Sequence, residues 1–88
     1  MADQAATYEA LAQIWAQVLG VESVSPDADF WALGGDSLAA IQVAALSREA
    51  LGRPEEDEEV LLFALFDEPT LTDYARVAAA GQEATQPV

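Results

Sequence analysis

Residues that end helices divide this chain of 88 residues into segments of helical length, and their spacing constrains the fold more than any other feature. In the first segment the apolar residues recur every three or four positions, which predicts an amphipathic helix over Gln4–Leu19 that ends at Gly20. Asp36 is then a good N-cap, so we expect a second helix over Ser37–Leu51 that Gly52 ends.

The second half of the chain contains two more helical segments. Val60–Phe66 is short and apolar throughout; a brief helix is our expectation, although a buried strand has the same pattern. Pro69 interrupts the chain, and Thr70 is the predicted cap of a last helix that ends at Gly81. The acidic run Glu55–Glu59 is expected to be a solvated loop, with a weak divalent-cation site as the alternative.

The predicted fold is therefore all-α: a small four-helix bundle with a long loop between helices 1 and 2 and a short third helix. Residues 1–81 would form one domain and residues 82–88 a disordered tail. We expect a free-standing protein, because the chain begins with Met1 and ends in a short polar segment.

Composition removes several classes of function. The sequence has no cysteine, histidine or lysine, and its 3 basic residues, all arginine, face 16 acidic residues, for a net charge of −13. Catalytic triads, zinc bound by histidine or thiolate, and Schiff-base lysines therefore cannot be built. The negative charge opposes binding to nucleic acid or to an anionic membrane and favours protein partners with basic patches. With no signal peptide and no apolar run of spanning length, we expect a cytoplasmic monomer.

The second helix is apolar on two sides. Successive residues are turned by about 100° around a helix axis. One broad face carries Ala40, Val43, Ala44, Ser47 and Leu51, and the opposite face carries Leu38, Ile41 and Ala45. A helix of this kind is either buried all round or binds a partner.

Ser37 lies at the start of that helix, directly after Gly34 and Gly35. A serine at a helix start is usually structural. Here, however, the free N–H groups and positive dipole of the helix N-terminus suit a phosphate ester. The glycines let another enzyme approach, and Leu38 and Ile41 add an apolar patch. Because no histidine or lysine is present to act as a base, we interpret Ser37 as a residue that is modified, not as a catalyst.

Three motifs support that interpretation. Leu33–Leu38 reads LGGDSL and precedes an Ala-Ile-Gln-Val run, Asp29–Leu33 reads DFWAL, and Leu65–Leu71 reads LFDEPTL. In this order and spacing they resemble the motifs of the acyl and peptidyl carrier proteins of fatty-acid, polyketide and nonribosomal peptide synthesis. The resemblance covers nearly the whole chain.

The resemblance implies a cofactor and a set of partners. Ser37 would receive 4′-phosphopantetheine from coenzyme A through a separate phosphopantetheinyl transferase, and the thiol of this group would hold a cargo as a thioester. Such a protein catalyses nothing itself and binds no metal. It is visited by an adenylation (loading) enzyme and by condensation or tailoring enzymes. We expect these partners to recognise Gly35, Asp36, Leu38 and Ile41.

The subtype follows from finer features. The double glycine resembles peptidyl carriers (thiolation domains), so an aminoacyl or peptidyl cargo is expected. The strong negative charge is typical of fatty-acid carriers, which keeps an acyl carrier of fatty-acid or polyketide type as an alternative; an unmodified helical adaptor is the other. Ser47 departs from the pattern, because peptidyl carriers often have a leucine ten residues after the modified serine.

Overall fold

The structure is a computed structural model that describes residues 4–84, and the side chains of residues 6–79 within them. Over this range the backbone forms four α-helices: α1 Gln4–Leu19, α2 Ser37–Leu51, α3 Asp57–Asp67 and α4 Leu71–Ala84. The all-α class, the long loop between α1 and α2 and the short third helix are confirmed. None of the described helices is long and apolar enough to cross a membrane.

The second helix begins and ends where the sequence predicts. Asp36 is extended, and its Oδ1 accepts a hydrogen bond from the Ala39 N–H at 2.8 Å. At the other end Gly52 is left-handed, with φ +66°, and the next N–H, that of Arg53, donates to Arg48 O at 3.0 Å. These caps satisfy main-chain groups that a helix end would leave open, and they make Ser37 the first residue of α2.

The third helix begins earlier than predicted. The last three residues of the acidic run Glu55–Glu59 form its first turn, so the prediction of a solvated loop is wrong for them. Acidic side chains are stabilised at a helix N-terminus by the dipole. Arg53 Nε also donates to Asp57 Oδ2 at 3.1 Å, and Arg48 Nε donates to Glu58 Oε1 at 3.0 Å. Arg48 in the last turn of α2 and Arg53, which follows the Gly52 cap, thus hold the start of α3.

The fourth helix starts as predicted and continues further. The Asp73 N–H donates to Thr70 Oγ1 at 3.3 Å, which confirms the cap. The helix does not end at Gly81 but runs to Ala84, since a glycine inside a helix costs only about 1 kcal/mol. The boundary between a domain of residues 1–81 and a disordered tail of residues 82–88 stays a prediction, and residues 85–88 lie outside the described residues.

Aromatic side chains form the centre of the core. The Trp15 ring meets Phe30 edge-on, with centroids 5.2 Å apart, and lies 5.7 Å from the Tyr74 ring; all three side chains are fully buried. The buried residues of α2 are Ala40, Val43, Ala44 and Ser47, which belong to the predicted core face. Leu51, predicted on the same face, packs against the core but is only partly buried.

The Ser47 hydroxyl lies beside the Tyr74 phenol inside this core. Burial raises the pKa of Tyr74 to about 12, against smaller opposing effects of the Ser47 hydroxyl and the Arg53 charge. The two hydroxyls do not meet each other with hydrogen-bond geometry, and neither has another partner among residues 4–84. Ser47 thus places a hydroxyl without a hydrogen-bond partner at the position where peptidyl carriers often have a leucine.

Candidate functional site

The long loop before α2 is anchored to the start of α4 by main-chain hydrogen bonds. They run from the Phe30 N–H to Pro69 O at 2.9 Å, from the Leu71 N–H to Ala28 O at 3.3 Å and from the Thr72 N–H to Pro26 O at 3.0 Å. Asp29 and Thr70 form an isolated antiparallel bridge at the same place. The DFWAL and LFDEPTL motifs, far apart in sequence, therefore meet and fix the loop that leads to Ser37.

Asp29 and Trp31 also attach this loop to α3. Asp29 Oδ1 accepts hydrogen bonds from the N–H groups of Trp31 and Ala32 at 2.8 and 3.2 Å, which closes a tight turn. The Trp31 Nε1–H donates to Leu65 O at 2.9 Å, and its ring lies 4.9 Å from the Phe66 ring. The loop is thus held by both α3 and α4, so the position of its last residues is defined.

Glycine is needed at each of the two positions before Asp36, for a different structural reason. Gly34 has φ +101°, a conformation that side chains rarely adopt. Gly35 donates its N–H to Phe30 O at 3.1 Å, and a Cβ there would lie 2.7 Å from that oxygen and against the Phe30 ring. Packing over Phe30 therefore requires a glycine at position 35, a reason the sequence did not reveal. Recognition of Gly35 by a partner stays a prediction.

Ser37 is exposed at the first position of α2. Asp36 caps the Ala39 N–H with its side chain and the Ala40 N–H with its carbonyl. Within residues 4–84 the structure shows no acceptor for the N–H groups of Ser37 and Leu38. Two open amides at the positive end of a helix suit phosphate oxygens, so the residues here fit a phosphate ester on Ser37 Oγ.

Two residues of the predicted recognition set are exposed apolar side chains on α2. Leu38 is 64% exposed and Ile41 is 48% exposed, whereas Ala40 and Val43 are fully buried. The helix is therefore not buried all round, which excludes the first of the two alternatives stated for it. Asp36 is exposed beside them. What binds these side chains stays a prediction.

A second apolar surface, on α3, was not predicted from the sequence. Val60, Phe63 and Phe66 are each about half exposed. A signal for this was present, because Val60–Phe66 is apolar at every position and one helix cannot bury all its sides in so small a domain.

All three arginines are paired with acidic side chains. Arg48 contacts Glu58 and Glu49, Arg53 contacts Asp57, and Arg76 contacts Asp73, with nitrogen–oxygen distances from 3.0 to 3.7 Å. The described surface therefore presents no uncompensated positive charge, while most of its acids stay unpaired. No cluster of three candidate metal ligands occurs in the described part of the chain, which leaves the alternative of a divalent-cation site without support.

Comparisons with known proteins agree with this arrangement. A family model described as "Phosphopantetheine attachment site" matches residues 9–77. Tyrocidine synthase 3 of Brevibacillus parabrevis is 39% identical over 82 residues, in a match that covers 89% of this chain and 1% of that protein. The chain thus spans a very small part of this much longer relative.

Two solved structures extend the likeness to the fold. A nonribosomal PCP domain superposes with a TM-score of 0.68 at 32% identity, over 88% of this chain and 90% of its own. A type-II acyl carrier protein from Streptomyces verticillus, involved in bleomycin biosynthesis, superposes with a TM-score of 0.79 at 29% identity, over 90% and 89%. The family model covers all but the two ends of the chain, and the matched region contains an exposed serine at a helix start that is open to a phosphate ester. This chain therefore belongs to the phosphopantetheine-attachment family and is a carrier domain of the nonribosomal peptide synthetase type.

Proposed function

We propose that Ser37 carries 4′-phosphopantetheine and that this protein holds an aminoacyl or peptidyl group as a thioester during nonribosomal peptide or related natural-product synthesis. The observation that carries the proposal is the exposed Ser37 hydroxyl beside two open N–H groups, inside the region that the family model matches. Members of this family carry the group covalently.

The attachment step uses Ser37 as the nucleophile and another enzyme as the catalyst. Ser37 Oγ attacks the phosphorus of coenzyme A that bears the pantetheine, and the bond from this phosphorus to the second phosphate breaks, so adenosine 3′,5′-bisphosphate leaves. The serine proton would pass to a base of the phosphopantetheinyl transferase, because this chain has no histidine or lysine and, in the described structure, no hydrogen bond joins Ser37 Oγ to the Asp36 carboxylate. The N–H groups of Ser37 and Leu38 would hold the phosphate on the carrier.

Once attached, the group supplies a terminal thiol, which explains how a chain without cysteine takes part in thioester chemistry. The carrier itself catalyses no step in this proposal. Its part is to present the group from a rigid start of α2, held by the Asp36 cap and by the loop that is bonded to α3 and α4.

Partners are proposed from charge and exposed apolar surface. The transferase, an adenylation enzyme and condensation or tailoring enzymes would each bring a basic patch to a carrier of net charge −13 and contact Asp36, Leu38 and Ile41. We also propose that the carrier acts as a free-standing monomer in the cytoplasm, where coenzyme A is available. The likeness to a type-II acyl carrier protein supports the free-standing state.

The cargo class separates the proposal from its main alternative. The similarity to a tyrocidine synthase and to a PCP domain favours an aminoacyl or peptidyl group, whereas the high negative charge favours an acyl carrier. The phosphopantetheinylated protein is incubated with adenylation enzymes and a panel of amino acids, and separately with acyl–acyl carrier ligases and fatty acids. Intact mass shows which group is bound. Loading by fatty acids alone would replace the peptidyl assignment with the acyl one.

The attachment residue is tested by peptide mapping. After incubation with coenzyme A and a broad-specificity transferase, tandem mass spectrometry is expected to locate the added group on Ser37. A group on another serine would overturn the site, and no mass gain at all would favour the unmodified adaptor.

A further inference from the structure

The end of α3 carries a main-chain carbonyl that its own helix cannot pair. The Glu68 N–H donates to Ala64 O at 2.6 Å, so the Leu65 carbonyl would take its hydrogen bond from residue 69. That residue is Pro69, which has no N–H. The Trp31 Nε1–H donates to Leu65 O at 2.9 Å in its place, from the loop before α2. Trp31 therefore supplies a hydrogen bond that the sequence of α3 leaves open.

The Trp31 ring also contacts two other aromatic side chains. Phe30, which is fully buried, meets it edge-on with centroids 5.0 Å apart, and Phe66 of α3 lies 4.9 Å away. A phenylalanine at position 31 could make both ring contacts but could not donate the hydrogen bond. The indole N–H is therefore what tryptophan adds at this position.

The chain between Trp31 and Ser37 is held by few other directional contacts. The main-chain hydrogen bonds to the start of α4 come from residues before Trp31, and in the described part of the chain those of residues 32–35 stay within their own turn. Leu33 packs against the core, but an apolar contact is non-directional. The first fully buried residue of α2 is Ala40, three residues after Ser37. The direction in which the chain enters α2 therefore depends on the bond from Trp31.

We propose that Trp31 is a positioning residue for the modification of Ser37, an inference that rests on the function proposed above. Its hydrogen bond to α3 fixes the turn that leads to Asp36, and so fixes where the Ser37 hydroxyl is presented to the transferase. The attacking oxygen must lie in line with the phosphorus, and a displacement of about 1 Å can lower such a rate about a hundredfold. Trp31 acts through the chain that follows it and takes no part in the chemical step.

The test removes the indole N–H and keeps an aromatic ring. Wild type and Trp31→Phe are modified in single turnovers, with the transferase in excess and coenzyme A saturating, and intact mass follows the reaction. The maximal rate should fall about three- to tenfold in Trp31→Phe. The transferase concentration that gives half of that rate should stay within about twofold of wild type, because the exposed Leu38 and Ile41 side chains are unchanged.

Tyr74→Phe is the matched control. It also removes one polar group from an aromatic side chain, but the Tyr74 hydroxyl lies in the core and has no hydrogen-bond partner among residues 4–84. This variant should be modified at nearly the wild-type maximal rate. Circular dichroism shows that each variant is folded at the assay temperature.

The other outcomes contradict the positioning role in different ways. A raised half-maximal concentration with an unchanged maximal rate would assign Trp31 to partner binding. Two unchanged values, or an equal loss of rate in Tyr74→Phe, would show that the Trp31 bond does not position Ser37. In all these cases Ser37 remains the attachment residue, whereas a wild-type protein that gains no mass would reject the proposed function and this inference with it.

Discussion

Truncating an apolar side chain on the open face of α2 should separate partner binding from stability. Leu38 is 64% exposed, so only about a third of its side chain is removed from water in the folded protein. Full burial of a leucine contributes about 1.5–3 kcal/mol. Leu38→Ala should therefore lower the free energy of unfolding by less than about 1 kcal/mol, and the better helix propensity of alanine offsets part of that loss.

Leu61→Ala is the matched control, because it makes the same chemical change at a fully buried position of α3. Removal of a leucine side chain from a core costs about 2–5 kcal/mol. In a domain of this size each kilocalorie shifts the melting temperature by about 4–8 °C, so this variant should melt at least about 8 °C lower than wild type. Urea and thermal unfolding followed by circular dichroism measure both variants.

The functional readout is the rate of modification by the transferase. If Leu38 contacts the enzyme, its truncation should lower kcat/KM about fivefold or more, which corresponds to the loss of about 1 kcal/mol of binding. Leu61→Ala, assayed at a temperature where it is folded, should be modified at nearly the wild-type rate. The reasoning is refuted if Leu38→Ala destabilises the protein as much as Leu61→Ala while its folded fraction is modified normally.

Three further changes each test one feature of the structure. Asp36→Asn keeps an N-cap but removes a charge, so modification should slow about two- to fivefold at low salt, with the difference vanishing at high salt; equal rates at low salt would exclude an electrostatic role. Gly35→Ala pushes a Cβ against Phe30 and should cost about 1–3 kcal/mol in urea unfolding; a loss near zero would show that the loop adjusts freely. Tyr74 stays neutral in the fold up to its raised pKa of about 12, whereas in the unfolded chain it ionises near 10. Stability should therefore fall by about 2 kcal/mol as pH rises from 10 to 12, and Tyr74→Phe should remove that fall, because its unfolded state gains no such ionisation.

The features of the fold that could be predicted are those whose causes lie close together in sequence. The Asp36 cap and its hydrogen-bond donor are three residues apart, and the left-handed Gly52 follows directly on α2. The two faces of α2 follow from the helical period alone. For these elements the local residues are enough to decide the structure.

Two of the missed features, the early start of α3 and the need for glycine at position 35, also depend on contacts between residues farther apart in sequence. The first turn of α3 is held by Arg48 through Glu58, ten residues away, and Arg53 also donates to Ala78 O on α4. The need for glycine at position 35 arises because Phe30 packs there, and the position of Phe30 is set by its bond to Pro69. Spacing and composition contain no record of such contacts.

Intact mass after incubation with coenzyme A and a broad-specificity transferase tests the central claim most directly. Three proteins are compared: wild type, Ser37→Ala, and Ser25→Ala, which removes another exposed hydroxyl, in the long loop. Ser37→Ala should fold normally, because the α2 cap is made by Asp36. We predict that wild type and Ser25→Ala each gain the mass of one phosphopantetheine and that Ser37→Ala gains none. A folded Ser37→Ala protein that still gains this mass would contradict the assignment of Ser37 as the attachment residue.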